Sequence, residues 1–216
     1  SLLLDSRCGL EGEMIEAIIL GIIQGLTEFL PISSSAHIRI FGEFMDGAND
    51  PGARFTAITQ IGTELAVLIY FRKDIAAILR SWFEQVVQRK ELIGEAKSQA
   101  RIGWLIIIGT VPIVVLGYLG SDIIENNLRS LWLIATTLIV FGVILGLADT
   151  YGKRERTLDQ LSSRHGIMYG LAQALALMPG VSRSGATIAM GRFLGYKREA
   201  ALRYSFLLAL PAVFGS

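Results

Sequence analysis

Cysteine is almost missing from this 216-residue chain. Cys8 stands alone, so neither an intrachain disulfide nor a cysteine-based metal cluster can form. A charge excess is missing too: 20 basic side chains face 19 acidic ones, a net of +1, which argues against a bulk nucleic-acid partner. No P-loop and no glycine-rich dinucleotide fingerprint occurs, so nothing indicates a nucleotide. Residues 1–16 begin apolar but have no basic segment ahead of them, so they do not read as a cleavable signal peptide.

Apolar residues are plentiful. They make up 52% of the chain against 18% charged, with a mean hydropathy of +0.51, and they come in blocks. A bilayer span needs about 17–25 mostly apolar residues. Residues 55–71, 102–119 and 131–147 meet that need, and 200–214 forms a further block at the end of the chain. Basic residues concentrate between the spans at Arg72, Lys73, Arg80, Arg89, Lys90, Lys97 and Arg101, and again at Lys153, Arg154, Arg156 and Arg164. The links 42–54 and 120–130 hold only Arg54 and Arg129. The positive-inside rule therefore puts 72–101 and 149–165 in the cytoplasm and the other two links outside. Within 72–101, Ile75, Ile78, Leu79, Trp82 and Val86 recur at helical spacing. They suit either an amphipathic helix on the membrane surface or a span continuing as a packed helix.

Two further apolar stretches carry polar groups. Residues 21–41 hold Gln24, Glu28, Ser33, Ser34, Ser35, His37 and Arg39, and residues 170–194 hold Gln173, Ser182, Arg183, Ser184, Thr187 and Arg192. Ionisable groups at membrane depth are costly and mark functional sites by default. The stretches also match in order: Gly21 and Gly170, Gln24 and Gln173, Pro31 and Pro179, then a serine-rich run and an apolar span. Three spans separate the copies, and an odd number inverts the second. The expected fold is an all-α polytopic membrane protein: an inverted-topology repeat whose two broken re-entrant helix pairs meet near the bilayer midplane. One membrane domain, 1–216, would hold a first repeat at about 14–148 and a second at about 166–216, which reads as incomplete.

The chemistry follows from spacing. Gln24 and Glu28 are four apart and share a helix face. Pro31 ends that helix, Ser33 or Ser34 caps the next, and His37 follows on the face of that serine. In the second stretch Ser182 caps a helix whose first N–H groups, from Ser184 to Thr187, would be free beside Arg183, an arrangement suited to an anion. A purely structural Arg183–Glu28 pair is the competing reading. Together these are parts for phosphate binding or phosphoryl transfer on a lipid, with serine or a water as nucleophile, His37 as general base and Glu28, aided by Gln24, holding a hard divalent cation.

Gln24-Gly-Leu-Thr-Glu28-Phe-Leu-Pro-Ile-Ser-Ser-Ser-Ala-His37 and Pro179-Gly-Val-Ser-Arg-Ser-Gly-Ala-Thr187 closely resemble the two signature motifs of undecaprenyl-pyrophosphate phosphatase, an integral-membrane family linked with bacitracin resistance. The resemblance extends over residues 55–71, the Pro112 span and residues 205–211. It implies hydrolysis of undecaprenyl pyrophosphate to undecaprenyl phosphate and inorganic phosphate, recycling the carrier lipid of cell-wall synthesis. The implied setting is a bacterial inner membrane crossed several times, with the site opening to the periplasmic side, and the implied cofactor is magnesium or calcium. By motif, Glu28 matches a functional acid, Ser34 the proposed nucleophile, His37 the histidine, and Ser182, Arg183 and Thr187 the pyrophosphate-binding set. Ser33 and Ser184 complete the substrate-binding expectation, and Gln24 and Glu28 the metal one. Gln24 stands where many relatives carry glutamate. The expected partners are a polyprenyl pyrophosphate lipid and the bilayer, with no nucleic acid; a homo-oligomer is allowed but not required. A polyprenyl-phosphate transporter or flippase, alone or combined with hydrolysis, is the alternative, and the Ser34–His37 pair facing an arginine favours the hydrolase.

Overall fold

The computed structural model describes residues 2–42, 44, 52–127 and 130–214. The chain forms α1 (Leu2–Phe29), α2 (Ser34–Gly42), α3 (Gly52–Tyr70), α4 (Arg72–Val86), α5 (Gly94–Asn127), α6 (Leu131–Tyr151), α7 (Ser163–Ala174), α8 (Arg183–Phe193) and α9 (Arg198–Phe214). Short 3₁₀ turns sit at Leu158–Gln160 and Leu175–Leu177, and one isolated bridge joins Arg156 to Tyr196. No strand occurs among the described residues.

Gly94–Gly120 of α5 and Leu131–Tyr151 of α6 are long and apolar enough to cross a bilayer, and Ile58–Tyr70 of α3 is a shorter apolar helix. Only 22% and 17% of the two long windows are buried. Ile107, Val111, Val114, Ile139 and Val143 are all exposed. A water-soluble protein would bury such a surface, so these faces point to lipid. The chain is an α-helical membrane protein. The link expected at 120–130 is largely helix, since α5 continues to Asn127; Arg129 and most of the 42–54 link lie outside the described residues.

α9 is the hub. Its Tyr204, Leu207 and Leu208 are almost fully buried, and Phe206 meets Phe29 and Phe71 with ring centroids 5.9 and 6.3 Å away. The Tyr204 hydroxyl donates to Leu105 O at 2.9 Å, which satisfies a phenol that burial would otherwise penalise. α5 and α7 cross at small residues: a Cβ on Gly170 would collide with the Gly109 backbone, and one on Gly166 would lie 3.0 Å from Leu105. Gly166 and Gly170 form the small-xxx-small pattern that lets membrane helices approach closely. α4 continues α3 after a bend at Phe71, whose N–H and C=O both stay in helical bonds of 2.9 Å. Its Ile78 and Trp82 press on α5 at Gly103, while Leu79 and Phe83 remain exposed, so the span does continue as a packed helix.

The basic segments gather at one end. Arg203 of α9 pairs with Asp74 of α4, Arg198 with Asp149 of α6, and Arg101 donates to Asp159 O. Arg192, fully buried, is a clamp at this end: its Nη1 donates to Tyr196 O at 2.7 Å and its Nη2 to Asp149 O at 3.3 Å. A guanidinium on the last carbonyls of α6 satisfies a helix C-terminus.

Candidate functional site

Two interrupted helices build the site. α1 stops at Phe29 because Pro31 offers no N–H to continue it. Ser33, 3% exposed, takes φ 66°, a left-handed conformation that disfavours residues with a Cβ by about 1–2 kcal/mol. His37 holds it there: the Ser33 carbonyl accepts the His37 N–H at 3.2 Å and Nδ1 at 2.9 Å. A carbonyl only accepts, so Nδ1 carries the proton and Nε2 is left as the basic nitrogen.

The second interruption follows α7. Gly180 has φ 91°, and a Cβ there would meet Thr137 Oγ1 and Ile134 of α6, so both its backbone conformation and the close approach need glycine. Thr137 Oγ1 donates to Pro179 O at 2.9 Å, docking the turn on α6. Ser182 then caps α8, its Oγ accepting from Gly185 N at 3.1 Å while its carbonyl accepts from Ala186 N at 2.8 Å. The expectation of free N–H groups from Ser184 to Thr187 is therefore corrected. The cap consumes those of Gly185 and Ala186, and the N–H groups without an acceptor among the described residues are those of Arg183 and Ser184.

The two turns meet. Ser184 Oγ lies 3.5 Å from Glu28 O, and a Cβ on Gly185 would stand 3.1 Å from Pro31 O. Between them is a cavity of about 240 Å³ walled by Glu28, Ser33, Ser34, Ser182, Arg183 and Ser184, with Thr56, Gln60, Ile113 and Ala212 from α3, α5 and α9. Thr56 lies about 21 Å along α3 from Tyr70, at 1.5 Å per residue, so the cavity sits away from the basic end of the bundle.

Its charges are concentrated. Arg183 Nη2 donates to Glu28 Oε1 and to Glu64 Oε1, both at 2.7 Å. The side chains of Arg183 and Glu28 are 13% and 12% exposed and that of Glu64 2%, so this is a largely buried cluster around one fully buried carboxylate and not a screened surface pair. Nε and Nη1 of Arg183 have no partner among the described residues, and the residue lines the cavity. Glu28 Oε2 accepts from Ser34 Oγ at 2.5 Å and from Gln24 Nε2 at 3.1 Å. The first is a short, charge-assisted bond.

The family model described as bacitracin resistance protein BacA matches residues 17–216. The chain belongs to that family. Among similar BacA-type proteins, the undecaprenyl-diphosphatase of Micrococcus luteus is 63% identical over 202 residues, covering 94% of this chain and 72% of the relative. That of Paenarthrobacter aurescens is 61% identical over the same length with the same coverage. The undecaprenyl-diphosphatase 2 of Agrobacterium fabrum is 61% identical over 203 residues, again 94% and 72%.

Several sequence expectations meet in this BacA fold and others part. Gln24, Glu28, Ser34 and Arg183 form one hydrogen-bonded group; Glu28, Ser34 and Arg183 line the cavity with Ser33, Ser182 and Ser184, while Gln24 is buried behind Glu28 and His37 is not part of the wall. Ser34 turns to Glu28 and His37 to Ser33, so the hydrogen bonds do not join Ser34 to His37. Thr187 is fully buried behind the wall, donating to Arg183 O at 2.8 Å and bonded to Ser205 of α9. Glu64, absent from the set read from sequence, is the residue the fold adds. Its signal was present: it is a carboxylate in an apolar span.

Proposed function

We propose that this chain is an undecaprenyl-diphosphatase, hydrolysing the membrane lipid undecaprenyl pyrophosphate to undecaprenyl phosphate and inorganic phosphate, and so serving cell-wall synthesis and bacitracin resistance. The observation that carries the reading is the cavity between the two turns. It joins a serine already hydrogen-bonded to a carboxylate with an arginine and free helix N–H groups, within a lipid-facing bundle. The names borne by relatives at about 60% identity support it.

In this reading the terminal phosphate enters the cavity, where Nε and Nη1 of Arg183 and the N–H groups of Arg183 and Ser184 take its oxygens. Ser34 Oγ attacks phosphorus and passes its proton to Glu28 Oε2. The bridging P–O bond breaks and undecaprenyl phosphate leaves. Water then cleaves the phosphoserine, releasing phosphate and returning the proton to Ser34 through Glu28. Ser33, Ser182 and Ser184 offer hydroxyls to the substrate. Thr187 supports α8 from behind, and His37 fixes the Ser33 turn from outside the residues that line the cavity.

The donor set suits magnesium or calcium. Gln24 Oε1 is a buried oxygen without a partner among the described residues, on a side chain bonded to Glu28. Glu28 and Gln24 would hold the ion, and when bound it would neutralise phosphate charge as a Lewis acid.

The two interrupted helices, Gln24 with Gln173 and Ser33 with Ser182, support an inverted-topology repeat. It would have re-entrant pairs α1–α2 and α7–α8 within one membrane domain, the first copy over about 14–148 and the second over about 166–216. Ser33 Oγ lies 3.3 Å from Ser35 Oγ and Ser182 Oγ 3.2 Å from Ser184 Oγ, a pairing repeated in both copies. The clustering of the basic segments at the end remote from the cavity supports a cytoplasmic basic end and a site opening outward from the inner membrane.

The test is phosphate release from undecaprenyl pyrophosphate in detergent with magnesium or calcium, for the wild type and Ser34→Ala. The wild type should turn over, and the variant should lose about a hundredfold or more. Undiminished turnover by Ser34→Ala would move the attack to water, and a silent wild type would end the phosphatase reading.

A further inference from the structure

Glu64 is the one carboxylate of the triad that does not reach the cavity. It is 1% exposed, it touches Arg183 from α3, and it is not part of the cavity wall, whereas Glu28 is. Its Oε2 is buried without a partner among the described residues. Burying a second carboxylate against a cation that already has one is costly, so a group retained this way has to answer for its charge.

The charge count gives that answer. Arg183 and Glu28 alone would cancel, and the third polar group of the cluster, Gln24, is a neutral amide. With Glu64 ionised the cluster carries one net negative charge. A divalent cation then binds to an attractive site and leaves it net positive, the sign a pyrophosphate requires. Without Glu64 the cation meets a neutral site. Glu64 Oε1 bonds the same Nη2 of Arg183 as Glu28 Oε1, so the guanidinium keeps one carboxylate when Glu28 turns to a cation.

We infer that Glu64 is a positioning and charge-setting residue: through Arg183 it supplies the second negative charge of the site, the one that Gln24 does not carry. The inference rests on the phosphatase reading for its purpose, but not for its test. Gln24 is fully buried with Nε2 3.1 Å from Glu28 Oε2, so Gln24→Glu puts a carboxylate of the same shape into the same cluster. The charge can thus be removed at one position and returned at another.

The experiment measures binding of Ca2+ alone, by calorimetry on the full chain in detergent, alongside phosphate release. Glu64→Gln should weaken Ca2+ binding by about 10- to 100-fold and raise the cation concentration needed for turnover by a similar factor. Gln24→Glu/Glu64→Gln should recover most of both. A wild type that binds no Ca2+, a Glu64→Gln variant that binds it as tightly as the wild type, or a double variant that folds yet recovers nothing would each overturn the inference. If Glu64→Gln fails to fold, recovery of folding by Gln24→Glu supports the charge argument, and failure to recover refutes it. A wild type that binds Ca2+ without releasing phosphate would sink the phosphatase reading while leaving the Glu64 comparison intact.

Discussion

Arg183→Ala is the perturbation whose size the structure defines best. The guanidinium gives 2.7 Å bonds to two carboxylates, one of them 2% exposed. Removing it leaves two buried anions side by side, and breaking a buried pair in this way costs about 3–5 kcal/mol. Against a total stability of about 5–15 kcal/mol, that is a large loss. The rate loses separately. Taking away one preorganised donor to a developing oxyanion costs about 2.7–4 kcal/mol, or about 10²–10³ in kcat. Arg183→Lys separates the two effects. An ammonium can answer the carboxylates as a point charge but cannot fork between them and a phosphate. It should recover most of the melting temperature and little of the rate. The assay is phosphate release from undecaprenyl pyrophosphate in detergent, paired with thermal melting followed by tryptophan fluorescence. A folded Arg183→Ala protein whose kcat stays within about threefold of wild type would refute the argument, since that is only about 0.7 kcal/mol of transition-state stabilisation.

His37 can be dissected by its two nitrogens. His37→Asn keeps a donor near Nδ1 for the Ser33 carbonyl, and His37→Gln reaches nearer to Nε2. If the turn is what matters, Asn should retain clearly more kcat than Gln; equal loss in both would assign the effect to base chemistry at Nε2. Gly170→Val should destabilise the fold by about 1–3 kcal/mol, read as a lower melting temperature, because its side chain would enter the Gly109 backbone of α5; an unchanged melt would contradict the close crossing. His165 supplies a pH effect at the basic end. Burial chiefly, then Arg156 and Arg164, hold its pKa below the ordinary 6.5, and its Nδ1 lies 2.8 Å from the Tyr196 hydroxyl. The folded state therefore favours the neutral ring. The contribution is fully present above about pH 6.5 and erodes as pH falls from there toward the lower folded value. Melting of the wild type minus His165→Gln should show that loss below about pH 6.5, and a flat difference would refute it.

How much of this was legible in the sequence differs from residue to residue. The breaks at Pro31 and Pro179 were readable because proline acts on its own backbone, and the Ser182 cap was readable because capping spans three residues. The Gln24–Glu28 contact followed from a four-residue helical spacing. His37 shares a face with both serines, and spacing cannot say whether the ring reaches the hydroxyl of Ser34 or the carbonyl of Ser33; the fold turns it to Ser33. Thr187 matches the pyrophosphate-binding set by its place in the family motif; the packing of α8 bonds its hydroxyl to Ser205, and it is not among the residues that line the cavity. Arg192 likewise answers carbonyls of α6 some forty residues away.

The sequence by itself determined that this is a helical membrane protein, where its helices break, and which family it belongs to. Those properties depend on hydropathy and backbone chemistry over a few residues. Only the tertiary structure decided that Glu64 and Glu28 share Arg183. Those partners are 119 and 155 residues from it along the chain, and their meeting depends on how each helix is rotated and packed against its neighbours.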